Sequence, residues 1–120
     1  MRIQGEGVDL EARWDSPENA TAAVVLCHPH PQHGGTMRAP LMHKVMKALT
    51  GNGLAVLRFN FRGVGTSKGE WSGGVGEMDD VAAAVAEARG GYDSVAVAGW
   101  SFGAATSLRW QARDGDGSTY

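Results

Sequence analysis

Three short runs, Ala22 to Cys27, Leu54 to Phe61 and Ser94 to Ala98, are apolar almost without interruption. A strand with one wet face alternates apolar and polar residues, so runs of this kind point to strands buried on both faces, as in a parallel sheet covered by helices. Between them lie segments of helical period. Pro40 suits a first helical turn, and Leu41, Met42, Val45, Met46 and Leu49 recur on one face before Gly51 and Gly53 close the element. Met78, Val81, Val85 and Ala88 do the same within Glu77 to Arg89, and a last helix is expected from Phe102 to Ala112, where Leu108 is the only large aliphatic. Residues 2–14 instead alternate apolar and polar, with Gly5 and Gly7 offering a turn, which predicts an antiparallel hairpin at a sheet edge. The polar tail from Arg113 onward is expected to fray. The fold class is therefore α/β: a doubly wound, mostly parallel sheet with an N-terminal antiparallel hairpin, and with ligands near the carboxyl ends of the strands.

Residues 1–120 are enough for a single domain and too few for two. With 42% hydrophobic and 20% charged residues the chain falls well outside the disordered regime. A formal charge of −2 and the absence of a basic run argue against nucleic acid or an anionic membrane as partner. Cys27 is the single cysteine, so no intramolecular disulfide forms, and no apolar run approaches the roughly 20 residues of a membrane span. The first residues lack a signal-peptide core, and the expected compartment is the cytoplasm.

The strongest chemical signal is Gly99-Trp100-Ser101-Phe102-Gly103, a G-x-S-x-G pentapeptide set directly between a predicted strand and a predicted helix. A sharp strand-to-helix turn needs small residues on both sides of a nucleophile, because it crowds the backbone while lifting the serine hydroxyl above the sheet. In a chain with 18 glycines the pattern alone would also serve as a plain tight turn; the flanking elements favour the nucleophile.

With that elbow, the segments Cys27-His28-Pro29-His30-Pro31-Gln32-His33-Gly34-Gly35-Thr36-Met37 and Arg58-Phe59-Asn60-Phe61-Arg62-Gly63-Val64-Gly65-Thr66-Ser67 stand in the right order, and the chain resembles the α/β-hydrolase superfamily. It is most similar to the small, lidless bacterial members related to dienelactone hydrolases. The resemblance implies a serine hydrolase of small carboxylic esters or lactones, without cofactor or metal, with Ser101 as nucleophile and Gly99 and Gly103 as the glycines of its elbow. It also implies an oxyanion hole with one amide from the loop after the first buried strand and one from the residue after the serine. Pro29 has no N–H, so the His30 and Phe102 backbone N–H groups are the expected donors. His28, Gly34, Gly35, Arg62, Gly63 and Gly65 are expected to shape loop and pocket, with His28 and His30 side chains equally readable as loop-fixing. Many relatives carry Asp where this chain has Asn60. Trp71, Trp100 and Phe102 are readable either as pocket wall or as core.

A serine needs a base and an orienting acid, which the superfamily places after it in the order serine, acid, histidine. Here no histidine follows Ser101, and Asp114 and Asp116, the only acids after it, come within one helix of the nucleophile. The chain thus reads as the first half to two thirds of such an enzyme, leaving the strand Ser94 to Gly99 with an unpaired edge, where a second copy or a complementing chain would pair. Two alternatives stand beside the hydrolase. One is a non-catalytic or partner-completed module binding through that edge. The other is a zinc hydrolase using His28, His30 and His33, whose spacing resembles H-x-H-x-D-H with Gln32 in the Asp place. Phosphate cradling by the second loop fails on order, since Lys68 follows Ser67 rather than preceding it. Asp79 and Asp80 read as first-turn acids matched to a helix dipole.

Overall fold

The structure, a computed structural model, describes residues 1–114; residues 115–120, which include Asp116, lie outside it. Strands β1 (Arg2–Gly5) and β2 (Val8–Asp15) form the expected hairpin. β2 then pairs antiparallel with β4 (Ala55–Phe59), β4 pairs parallel with β3 (Ala22–Cys27), and β3 pairs parallel with β5 (Ser94–Gly99). The sheet order is β1-β2-β4-β3-β5, a mixed sheet in which β4, β3 and β5 are parallel, as expected for the doubly wound part, while the hairpin and its junction with β4 are antiparallel.

Helices α1 (Pro40–Gly51), α2 (Gly76–Arg89) and α3 (Phe102–Asp114) follow β3, β4 and β5. The chain leaves β3 outward through α1 to β4, then returns through α2 past β3 to β5. Crossovers of one hand that travel in opposite directions put their helices on opposite faces, and the core divides accordingly. Ala23, Val25 and Cys27 pack on the side of Val81, Val85 and Trp110, whereas Leu26 meets Val56, Met42 and Met46. The predicted apolar faces of α1 and α2 are thus the ones buried.

Three expectations need correction. The strand predicted over Leu54 to Phe61 spans only Ala55–Phe59: the Asn60 N–H still donates to the Glu11 carbonyl of β2 at 2.9 Å, but the Phe61 N–H leaves the sheet and donates to the His28 ring at 3.0 Å. β5 is not buried on both faces: Ala96 is exposed, since β5 is the outer strand of the described sheet and residues packed around α1 reach only Ala98. The last helix runs on to Asp114 rather than fraying at Arg113, whose guanidinium reaches Asp79 at 2.9 Å; Leu108 is exposed, and α3 is buried through Gly103, Thr106, Ser107 and Trp110. Among the described residues no helix is long and apolar enough to cross a membrane.

Candidate active site

β3 is where the winding reverses, and crevices form at the carboxyl ends of strands beside such a point. Cys27 and Gly99, the last residues of β3 and β5, sit in register, and the Trp100 N–H donates to the Cys27 carbonyl at 3.2 Å. Burial pushes the Cys27 thiol up to about 12, so its side chain serves only as packing beneath this junction. Ser101 then takes φ 54°, a left-handed conformation that costs a non-glycine residue about 1–2 kcal/mol and persists only where its surroundings enforce it. Here they do. A Cβ on Gly103 would overlap the carbonyl groups of Cys27 and His28, and one on Gly99 would come within 3 Å of Gly103 and Ala104 backbone. α3 starts so close to β3 that only glycine fits on either side of the exposed serine.

Across the crevice, the loop after β3 is tied to itself. His30, with φ −53° and ψ 121°, caps a short 3₁₀ turn (Pro31–His33): its Nδ1 accepts the Gln32 N–H at 3.1 Å, and its carbonyl accepts the His33 and Gly35 N–H groups, each at 3.0 Å. Gly34 takes φ 81°, and Gly35 lies so close under Pro29 that a Cβ would overlap it. Neither the His30 nor the Phe102 N–H donates to an acceptor among the described residues. The two side chains pack together with ring centroids 5.0 Å apart, and Trp71 leans on both, at 4.9 and 5.2 Å. Pro29, His30, His33, Gly34, Gly35, Ala39, Pro40, Leu41, Trp100 and Ser101 line an open cleft of about 400 Å³.

His28 lies outside that cleft. It is fully buried, and its Nε2 accepts the Phe61 N–H at 3.0 Å, which leaves the ring proton on Nδ1 to donate to the Pro29 carbonyl at 2.6 Å. Burial pushes this imidazole down to about 4, so the ring is a neutral peg joining the two loops. Both its nitrogens being engaged, His28 cannot join His30 and His33 as a metal ligand, and among the described residues no three His, Cys, Asp or Glu side chains converge as a metal set. The zinc alternative therefore does not fit these residues.

Arg62, Gly63 and Gly65 do not line the cleft either. Arg62 pairs with Asp80 of α2, which accepts its backbone N–H at 2.9 Å and its Nη2 at 2.8 Å. Burial pushes the Asp80 carboxyl up, while those bonds oppose the shift. The first-turn reading fits exposed Asp79 but not fully buried Asp80. Glu77, equally buried, accepts the Ser72 hydroxyl and the Ser72 and Gly74 N–H groups, and so fixes the segment that carries Trp71. Asn60 bridges two further elements: its Oδ1 accepts the Met37 N–H at 2.8 Å and its Nδ2 donates to Glu11 Oε1 at 2.8 Å. The Thr66 N–H and the Arg38 guanidinium hold Glu11 down to about 2. Glu11, Glu77 and Asp80 are braces that sequence reasoning missed. One signal was available: Glu77 and Asp80 fall at helical spacing on the same face as Val81, Ala84 and Ala88.

The profile of the family described as "Serine aminopeptidase, S33" matches residues 18–118. An α/β serine hydrolase homologue from Coxiella burnetii superposes with a TM-score of 0.87 at 37% identity, over 95% of this chain and 57% of its own. A Pyrococcus furiosus esterase superposes with a TM-score of 0.80 at 28% identity, over 91% of this chain and 44% of its own. An uncharacterised protein of Rickettsia prowazekii (strain Madrid E) is 44% identical over 86% of this chain and 42% of its own. The chain thus spans about half the length of these relatives. A matching profile over most of the sequence, on a fold of the same kind, means that this chain belongs to the S33 serine aminopeptidase family of α/β serine hydrolases.

Proposed function

We propose that this chain carries the nucleophile and oxyanion hole of a hydrolase of small carboxylic esters or lactones, in the manner of the dienelactone hydrolases. Ser101 Oγ attacks the carbonyl carbon, and the oxygen that gains charge is held by the His30 and Phe102 N–H groups. Collapse expels the alcohol, which takes up the proton that Ser101 lost, and water then releases the acid from the acyl-serine. Gly34 and Gly35 shape the loop beneath the substrate; Trp100 and Leu41 form the apolar wall. The acid and histidine come from polypeptide outside the described residues, either a continuation or a complementing chain paired at the outer edge of β5.

The observation that carries this reading is Ser101 at φ 54°, exposed on a turn closed by two sterically required glycines, in a cleft it shares with His30, whose N–H, like that of Phe102, meets no acceptor among the described residues. The test is hydrolysis of short p-nitrophenyl esters and simple lactones by the natural polypeptide recovered from its source. Ser101→Ala is expected to lower kcat by at least about a thousandfold. Undiminished biological function in that variant would favour a non-catalytic module binding through β5.

A further inference from the structure

Away from the cleft, Arg13 of β2 and Arg58 of β4 stand directly opposite each other in the antiparallel register, so both side chains leave the same face of the sheet. Like charges so placed weaken a strand pair. One carboxylate is shared between them: Asp15 accepts from Arg58 Nη2 at 3.1 Å and from Arg13 Nε at 3.4 Å. The Arg58 side chain is only 7% exposed, its Nη1 donates to the Met37 carbonyl at 3.2 Å, and its Nε is buried without a partner among the described residues. A buried guanidinium with an unmet donor calls for an acceptor that the protein does not itself supply.

The two arginines line a cavity of about 290 Å³ with His43, Met46 and Arg38. It adjoins a wider cleft of about 610 Å³ that shares Arg13 and His43 and adds Lys47. Against four cations here stand two carboxylates, Asp15 and the Glu11 that pairs with Arg38 at 2.7 Å, leaving positive charge in excess on a chain whose overall charge is −2. We infer that this cavity binds a compact oxyanion, a phosphate group in kind, between Arg13, Arg58 and His43. Guanidinium forks match the oxygens of such a group, and the excess of two charges suits a phosphate dianion better than a monocarboxylate. The wider cleft leaves room for the organic part of a phosphate monoester.

The test is an NMR titration of the ¹⁵N-labelled protein with inorganic phosphate and, separately, with glycerol 3-phosphate, at fixed ionic strength with chloride as reference. Saturable shifts centred on the Arg13, His43 and Arg58 amides are expected, with a Kd below about 1 mM. Binding should weaken about tenfold in Arg13→Gln and in His43→Gln, two exposed positions whose replacement spares the core. Tighter binding of glycerol 3-phosphate would identify a monoester as the ligand, and equal binding the free anion; either supports the site. Shifts centred instead on His30 and Phe102, no saturation with either probe, or affinity unmoved in both variants would overturn it.

Discussion

The elbow after β5 and the loop after β4 meet at the same aromatic wall, yet they are held by different forces. Around Ser101 the positioning is steric: bare backbone of β3, β5 and α3 approaches so closely that Gly99 and Gly103 admit no side chain. Between Asn60 and Glu77 it is polar: buried Asp80 and Glu77 and the His28 ring satisfy the loop's donors one by one. The steric part puts a strained serine in one place without any long side chain to move. The polar part places Trp71 against His30 and Phe102 through side-chain acceptors, two carboxylates and one neutral ring.

The steric half should break hardest. Gly103→Ala forces backbone against backbone, where nothing flexible can yield, and is expected to cost at least about 4 kcal/mol in urea unfolding. The polar half should fail more gently: Asp80→Ala strands the Arg62 guanidinium, which is 18% exposed and can draw on some water, for an expected loss of about 3 kcal/mol by the same measurement.

Protonation separates the two halves without mutation. His28 is pushed down to about 4 from an ordinary 6.5, so the unfolded chain takes up its proton first. The stability this neutral ring contributes is complete above pH 6.5 and is lost as pH falls toward 4, by up to about 3 kcal/mol, with His28→Asn flattening that part of the profile. Glu11, held near 2, contributes stability that is lost only as pH falls below its ordinary value of about 4.5, so its window opens as that of His28 closes.

The smallest expected effect concerns Asn60. Here its amide both accepts from Met37 and donates to Glu11, which a carboxylate cannot do beside another carboxylate. Asn60→Asp should cost about 2 kcal/mol at neutral pH, and Glu11→Gln should restore much of it in the double variant. A loss unchanged by Glu11→Gln would rule out repulsion between the two carboxylates as its source.

The same contrast explains what the sequence makes legible. The elbow is local, five residues between a strand and a helix, and the hairpin, the three buried strands and the apolar faces of α1 and α2 are likewise periodic patterns of short range. Asn60 meets Glu11 across 49 positions, His28 meets Phe61 across 33, and Arg62 meets Asp80 across 18, and no local period encodes such pairs. His28 and Arg62 stand out in the sequence as site residues, but only the fold turns one into a buried peg and the other into half of an ion pair. The exposure of Ala96 was hidden for a similar reason, since strand propensity does not record which helix covers each face.

The measurement that bears most directly on Ser101 is active-site labelling of the natural polypeptide with a fluorophosphonate, followed by peptide mapping. One adduct on Ser101, absent from Ser101→Ala and suppressed by a competing short ester, is the predicted result. No adduct under conditions that label a control serine hydrolase, or an adduct on another residue, would contradict the placement of the nucleophile at this elbow.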